Sequence, residues 1–468
     1  MRLRSAATGL GAVALLAAAI RLVYGRGAIG YDTSFALVWG RQLAHGQSPE
    51  FQSAVAPTPH PLANLVSAPL SLLGDHAMDA WILLTIVAFA SLAWFAYKLG
   101  ERLFHPAVGI LFAAIVLTRP SLANETLQAI VDIPFLALIV AAGWVAASRQ
   151  RPLLVLTLLS LAGLLRPEGW PLAALFLVLV WRELPVERRA AAVALAVSAP
   201  VLWMAFDLAV TGDPLYSLHG TQQLAADLDR PRGAHSALVA APQYLRVILG
   251  APIAWLGLAG CLAGLLLIYD AALGAAAVAG LGLIGFLVLG VAGLPILPRY
   301  LLVPAVALAL FSAVAALGWL ALPEDSRERK PWMAAGAAVA VLLVALVPST
   351  VRDISDLRRF MDSRRGVQLD LRSLVRSPAG SAAIKACSHL SAPEHRPVPL
   401  LAYWLGRKPS EIPQESVVRR RGTAFLAYNS TQAAQRLSLS ANVQSLPPVP
   451  RGLVPAARNE SWRIYASC

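Results

Sequence analysis

Long apolar runs recur along this chain and constrain its fold more than any other feature of the sequence. A helix needs about 20 mostly apolar residues to cross the ~30 Å hydrocarbon core of a bilayer. Charged residues are only 14% of the 468 residues and hydrophobic residues 57%, whereas soluble domains carry roughly 25% charged residues. We therefore predict a polytopic, mainly α-helical transmembrane bundle. About eleven helices are expected over 5–23, 79–97, 107–118, 126–147, 152–165, 170–181, 190–206, 251–268, 271–292, 300–320 and 332–347.

The first apolar run has two interpretations. It follows two arginines, as the core of a signal peptide does. The residues before Arg26 contain no convincing small-residue cleavage site, so we expect a retained helix.

The chain has a net charge of +13, and many of its basic residues form clusters in short loops at the ends of predicted helices. Lys and Arg concentrate in the cytoplasmic loops of membrane proteins, and the predicted helices place these clusters on one side. We therefore expect a plasma-membrane protein whose first loop (24–62) and C-terminal part (349–468) lie outside the cytoplasm, and no nucleic-acid partner. The basic residues are Arg2, Arg4, Lys98, Arg102, Arg149, Arg151, Arg182, Arg188, Arg189, Arg327, Arg329 and Lys330.

The first loop is polar, rich in turns and carries both an acid and a histidine. Its sequence predicts a helix that begins at Asp32 and stops at Gly46. Apolar residues recur there at helical spacing, which favours an amphipathic helix on the membrane surface with Trp39 at headgroup level. Asp32 is either a functional carboxylate or the N-cap of this helix, because aspartate is favoured at N-caps.

Several short motifs of unusual polarity fall on the same predicted outer side as this loop. Together they resemble, in order over about the first 300 residues, the GT-C superfamily of membrane glycosyltransferases, which use polyprenyl-phosphate-linked sugars. The matching segments are Asp32 with Gly46-Gln47-Ser48-Pro49, His60-Pro61-Leu62, Asp132-Ile133-Pro134-Phe135, Arg166-Pro167-Glu168-Gly169, Gly212-Asp213-Pro214 and Pro298-Arg299-Tyr300-Leu301. Thr58-Pro59 departs from the family pattern.

The resemblance implies an inverting hexosyl or pentosyl transfer with Asp32 as general base. The leaving polyprenyl phosphate needs positive donors, for which Arg299, then Arg166, and His60 are candidates. Either arginine could instead be an interfacial side chain at a helix end, and His60 an ordinary loop residue. We expect a glycan, lipid or protein acceptor. The resemblance favours a mannosyl or arabinosyl donor, and the sequence leaves mannose, arabinofuranose, glucose and galactosamine all open.

Asp132 is predicted to lie about two turns inside an apolar helix, where a carboxylate is costly and is usually functional or paired. With Glu125 it could orient the acceptor or hold a divalent cation; a structural pair with Arg119 or Arg166 is the alternative. Glu168 and Tyr300 complete the candidate substrate-binding residues or second acids. Apart from that divalent cation, no cofactor is predicted, and no His or Asp cluster has convincing metal-ligand spacing.

The composition changes near residue 348, after which charged, serine and proline residues replace spanning runs. We expect a transmembrane catalytic module over 1–348 and a small extracytoplasmic α/β domain over 349–468. Its predicted strands are 398–405, 423–428 and 462–466. Cys387 and Cys468 are expected to form a disulfide in that compartment; two unrelated thiols are the alternative.

Two other functions fit the composition. A transporter or flippase would carry broken helices and ionisable residues near the membrane midplane. A non-catalytic envelope-assembly protein would leave Asp32, Asp132 and Arg299 without a role.

Overall fold

The computed structural model of the chain describes residues 2–148, 150–414, 422–438 and 445–468; Arg149, one of the predicted cytoplasmic basic residues, lies outside them. The first ten helices are α1 (Arg2–Tyr24), α2 (Tyr31–Ala44), α3 (Pro61–Ser71), α4 (Ala77–Leu103), α5 (Pro106–Leu117), α6 (Pro120–Leu127), α7 (Asp132–Ala146), α8 (Pro152–Leu165), α9 (Gly169–Val180) and α10 (Val186–Thr211). The remaining helices are α11 (Tyr216–Asp227), α12 (Ala234–Leu249), α13 (Ala251–Leu267), α14 (Tyr269–Val291), α15 (Leu302–Leu317), α16 (Arg329–Ala345), α17 (Val347–Arg376), α18 (Pro378–Ala386), α19 (Val398–Leu405) and α20 (Thr431–Ser438). The strands are β1 (His389–Ser391), β2 (Thr423–Tyr428), β3 (Val454–Arg458) and β4 (Trp462–Ala466).

The mainly helical membrane architecture with a small C-terminal sheet is confirmed. In the described residues, six helices are long and apolar enough to cross a membrane, or eight if each of two bent helix pairs forms one span. The predicted count of about eleven is not confirmed, because α7, α8 and α9 have only 12–15 residues.

The chain forms two compact units. The first consists of Met1–Tyr24, His60–Ala63 and Leu83–Ser355, and the second of Gly25–Pro59, Asn64–Ile82 and Asp356–Cys468. This grouping puts most of the first loop in the same unit as the C-terminal part. The predicted division into 1–348 and 349–468 runs along the sequence instead, and it stays a prediction.

Helix α15 lies at the centre of the first unit, and nearly all of its residues are buried. Its neighbour α13 presents glycines that allow the two backbones to meet. A Cβ on Gly260 would lie 1.9 Å from the carbonyl oxygen of Phe311, and one on Gly257 would lie 2.6 Å from that of Leu308. Ser312 adds a buried hydrogen bond from its Oγ to the Ile253 carbonyl, at 2.8 Å. Close helix packing in this unit therefore depends on glycine.

The second unit contains a four-stranded sheet in the order β1-β2-β4-β3. Strands β1 and β2 are parallel, and the other two pairs are antiparallel. The predicted strands at 423–428 and 462–466 are confirmed. All six residues of β2 are buried, so both of its faces are covered. A disulfide joins Cys387 to Cys468, whose Cα atoms are 5.4 Å apart.

Two local predictions in the second unit are wrong. Residues 398–405 form helix α19 rather than a strand: proline occupies the first turn, where its missing N–H is harmless, and Gly406 ends the helix in the left-handed region with φ 66°. Trp39 is not at a membrane surface. It is 1% exposed, lies 4.9 Å from the Phe51 ring and donates its indole N–H to the Glu50 carbonyl at 3.0 Å.

Candidate active site

A buried ion-pair cluster joins three of the predicted site residues in the first unit. Arg166 follows the last residue of α8, Asp132 begins α7 and Glu168 precedes α9. Arg166 Nη1 donates to Asp132 Oδ1, while Nη2 and Nε donate to Glu168 Oε1 at 2.6 and 3.1 Å. The Arg166 side chain is 3% exposed and that of Asp132 is 0% exposed. The structure therefore contains the ion pair between Asp132 and Arg166.

The helix pairing explains why these residues meet. Helices α7 and α8 pack against each other and are consecutive in the chain. In such an αα-hairpin the start of one helix lies beside the end of the next. Asp132 at the start of α7 and Arg166 at the end of α8 are therefore brought together, although they are 34 residues apart in sequence.

The predicted position of Asp132 inside a helix is wrong. The apolar run breaks before it, because Ala129 adopts φ 59° and α7 starts only at Asp132. A carboxylate in the first helical turn is favoured by the helix dipole, so this position is less costly than a helix interior. The side chain is nevertheless fully buried.

Tyr300 and Arg299 adjoin the cluster. They lie in a short 3-10 turn, Pro298–Leu301, directly before α15. The Arg166 guanidinium lies 5.2 Å from the centroid of the Tyr300 ring and 6.0 Å from that of Phe135. Arg299 is close enough to interact electrostatically with Arg166. Four predicted site residues are thus in one place, with Arg299 beside them.

Two carboxylate oxygens of this cluster lack hydrogen-bond donors. Asp132 Oδ2 and Glu168 Oε2 are buried and have no partner among the residues that the structure describes. Buried polar atoms are nearly always satisfied, so each such oxygen calls for an explanation. Both oxygens can accept hydrogen bonds from a bound molecule.

His60 lies beside an aromatic row that the sequence analysis missed. Its ring centroid is 5.8 Å from that of Trp203, which is in turn 5.8 Å from Trp170. Trp170 begins one apolar run and Trp203 lies inside another, so the sequence gives no signal that they meet. The indole N–H of Trp203 donates to Ser217 Oγ at 2.8 Å, and Ser217 donates to the buried Asp207. Asp207 therefore holds the start of α11.

Asp32 lies in the second unit, in the first turn of α2. The N-cap of that helix is Gly30, which makes Asp32 the second helical residue and excludes the interpretation of Asp32 as the cap. Its side chain is half-buried. Ser34 Oγ donates to the Gly30 carbonyl at 2.7 Å.

Glu125 is half-buried near the end of α6 in the first unit. In the described ranges, no group of three or more His, Cys, Asp or Glu side chains is arranged to hold a metal ion.

Three solved structures show the same fold. ArnT from Cupriavidus metallidurans bound to undecaprenyl phosphate is 14% identical, with 98% of each chain covered and a TM-score of 0.57. Apo ArnT from the same organism is also 14% identical, with 100% of this chain and 99% of that one covered and a TM-score of 0.56. The apo oligosaccharyltransferase of Archaeoglobus fulgidus is 11% identical, with 87% of this chain and 64% of that one covered and a TM-score of 0.51.

No protein-family model matches the sequence, and no curated protein matches it. These structural neighbours nevertheless confirm the resemblance: this chain has the fold of the GT-C membrane glycosyltransferases.

Proposed function

We propose that this protein is a membrane glycosyltransferase that moves a sugar from a polyprenyl-phosphate donor to an extracytoplasmic acceptor. One observation carries the proposal. Nearly the whole chain shares its fold with a protein whose structure holds undecaprenyl phosphate, although only 14% of residues are identical. The acceptor is a cell-envelope glycan, a lipid or a protein.

In this proposal, Asp32 is the general base of an inverting transfer. It removes the proton of the acceptor hydroxyl as that oxygen attacks the anomeric carbon of the sugar, and the bond to the phosphate breaks. The position of Asp32 supports this role, because the residue is half-buried and is not the N-cap of α2.

Arg299 is the proposed main partner of the donor phosphate. The negative charge that develops on the leaving phosphate is stabilised by a fixed guanidinium. Arg166 already donates to two carboxylates through three of its N–H groups. This favours Arg299 for the phosphate and gives Arg166 the task of holding Asp132 and Glu168. His60, beside the tryptophan row, is a second candidate for the phosphate or the sugar.

The cluster around Arg166 is the proposed sugar subsite. Asp132 Oδ2 and Glu168 Oε2 would accept hydrogen bonds from sugar hydroxyls, which are donors that the protein itself does not supply in its described part. The Tyr300 ring would form one wall of this subsite. Glu125 would act as an additional acid for the acceptor. The sugar is a hexose or a pentose, with mannose and arabinose as the first two to test.

We further propose that the protein lies in the plasma membrane with the first loop and residues 349–468 outside the cytoplasm. The one-sided distribution of basic loops supports this orientation. The donor would then enter the site from within the bilayer.

The rival functions are separated by one pair of assays on the purified full-length protein. A glycosyltransferase, given a cell-envelope extract as the source of acceptors, transfers the sugar of polyprenyl-phosphate mannose or arabinose in detergent and releases polyprenyl phosphate. A transporter or flippase moves the intact lipid across sealed vesicles and leaves the sugar–phosphate bond in place. Transport without bond cleavage contradicts our proposal.

A further inference from the structure

The backbone that leads into α2 is held by the C-terminal part of the second unit. Gln368 in α17 donates from Nε2 to the carbonyl of Ile29 at 2.9 Å, and this hydrogen bond is buried. One residue later, the Gly30 carbonyl accepts from both the backbone N–H and the hydroxyl of Ser34. The start of α2 is therefore held by a hydrogen bond from α17 and by hydrogen bonds within its own first turn.

Tyr31, the residue directly before Asp32, is held on several sides. Its hydroxyl donates to the Val55 carbonyl at 2.8 Å. The His395 ring meets it edge-on, with the centroids 5.3 Å apart and the planes at 87°. The Arg396 guanidinium lies 5.2 Å from the centroid of the Tyr31 ring, within the range of a cation–π contact.

The segment that supplies these two residues is itself anchored. It connects β1 to α19 and carries Glu394, which accepts a hydrogen bond from the Tyr428 hydroxyl. Tyr428 stacks on the buried Trp462 with ring centroids 4.5 Å apart. The backbone N–H of Ala392 donates to the Pro413 carbonyl at 3.0 Å. Residues 392–397 are thus tied to the middle of the sheet.

The other end of α2 is held by the same part of the unit. Arg41 Nη1 donates to the Tyr403 carbonyl at 2.6 Å, and its guanidinium lies 5.9 Å from the Tyr403 ring centroid. The Tyr403 hydroxyl in turn donates to the Gly74 carbonyl at 3.0 Å. Helix α2 cannot rotate or shift without breaking contacts at both ends.

We propose that the contact of His395 and Arg396 with Tyr31 positions the Asp32 carboxylate, so that the C-terminal part of the second unit is a positioning element of the active site. The proposal rests on the proposed function, in which Asp32 is the base. Tyr31, His395 and Arg396 act through Asp32. A base must be held within hydrogen-bond reach of its proton, and a displacement of about 1 Å can lower a rate by about 100-fold.

Kinetics and hydrogen exchange of the full-length protein test this role together. Arg396→Gln and Tyr31→Ala are compared with Arg458→Gln, which removes an exposed arginine from β3 in the same unit. Tyr31→Phe keeps the ring and removes the hydroxyl that donates to the Val55 carbonyl. We expect Tyr31→Ala and Arg396→Gln to lower kcat by about 10- to 100-fold, with KM for the lipid-linked sugar within about twofold of the wild type. Tyr31→Phe should be affected less.

Hydrogen exchange provides a readout that does not require turnover. The amide groups of α2 should exchange faster in Arg396→Gln and Tyr31→Ala and at the wild-type rate in Arg458→Gln. Unchanged exchange, or faster exchange with a normal kcat, overturns the positioning role. If the variants exchange faster but the wild type transfers no sugar, the contact does hold α2 in place, and it is the proposed function that is refuted.

Discussion

Replacing Arg166 with glutamine should destabilise the protein far more than the loss of a surface charge. Arg166 is 3% exposed and contacts the fully buried Asp132 and the 18% exposed Glu168. Glutamine would leave both carboxylates without their cation. Removing one partner of a buried ion pair costs about 3–5 kcal/mol, which is a large share of the roughly 5–15 kcal/mol that separates folded from unfolded protein.

The assay is equilibrium unfolding in mixed detergent micelles, followed by helical circular dichroism. The double variant Arg166→Gln with Asp132→Asn serves as an internal test. Because it removes one of the stranded charges together with the cation, it should be less destabilised than the sum of the two single variants, by about 1–3 kcal/mol.

A control comes from the ion pair between Glu324 and Arg329 in the first unit, in which the carboxylate is exposed. Glu324 is 95% exposed and lies 3.7 Å from Arg329. Its replacement by glutamine should change the free energy of unfolding by less than about 1 kcal/mol. A similar small change for Arg166→Gln, or strict additivity with Asp132→Asn, would refute the view that this cluster is a buried, coupled ion pair.

Three further predictions concern other parts of the fold. Burial raises the pKa of Glu394 above its ordinary value of 4.5, so the protonated side chain contributes stability that is lost as the pH rises from that ordinary value through the raised one. The melting temperatures of wild type and Glu394→Gln should therefore diverge as the pH rises above 4.5, and parallel curves contradict this. Cys387→Ser removes a disulfide between residues 81 positions apart and should lower the unfolding free energy by at most about 4.5 kcal/mol. Equal stability of the reduced and the oxidised wild type would contradict a stabilising role of this disulfide. Gly260→Ala should destabilise the first unit through the contact with Phe311, whereas Gly274→Ala, with open space around its Cβ position, should be neutral or stabilising by up to about 1 kcal/mol; equal melting temperatures for the two variants would exclude the close contact.

The helical membrane fold could be predicted because long apolar runs leave few alternatives in a bilayer. Helix α2 was also predictable to within two residues at each end, since its polar start and Gly46 bracket a helical pattern. The burial of that helix inside the second unit was not predictable from the sequence. Trp39 is compatible with a membrane surface and with a protein core, and only the packing of Phe51 against it decides between them.

Residues 398–405 show a second limit. Eight mostly apolar residues fit a buried strand and a buried helix equally well by periodicity. The prolines at the start and Gly406 at the end favour the helix, and in this case the boundary residues carried the information.

The candidate site was predictable as a set of residues and not as an arrangement. Arg166, Glu168 and Tyr300 were identified by their polarity at the ends of apolar runs, and Asp132 as a carboxylate inside one. Their pairing depends on how α7 packs on α8. No single residue of these two apolar helices indicates that packing. Likewise, nothing in the sequence near Asp32 indicates that Arg396, more than 360 residues later, contacts its neighbour Tyr31.

The most direct test of the account is sugar transfer by Asp32→Asn. Wild type, Asp32→Asn and the exposed-residue control Asp356→Asn are supplied with radiolabelled polyprenyl-phosphate mannose or arabinose in membranes. Loss of a general base lowers a rate by about 100- to 10,000-fold, and we expect that fall in kcat for Asp32→Asn alone, with all three proteins equally folded. Normal transfer by Asp32→Asn would contradict the central claim that this carboxylate takes the acceptor proton.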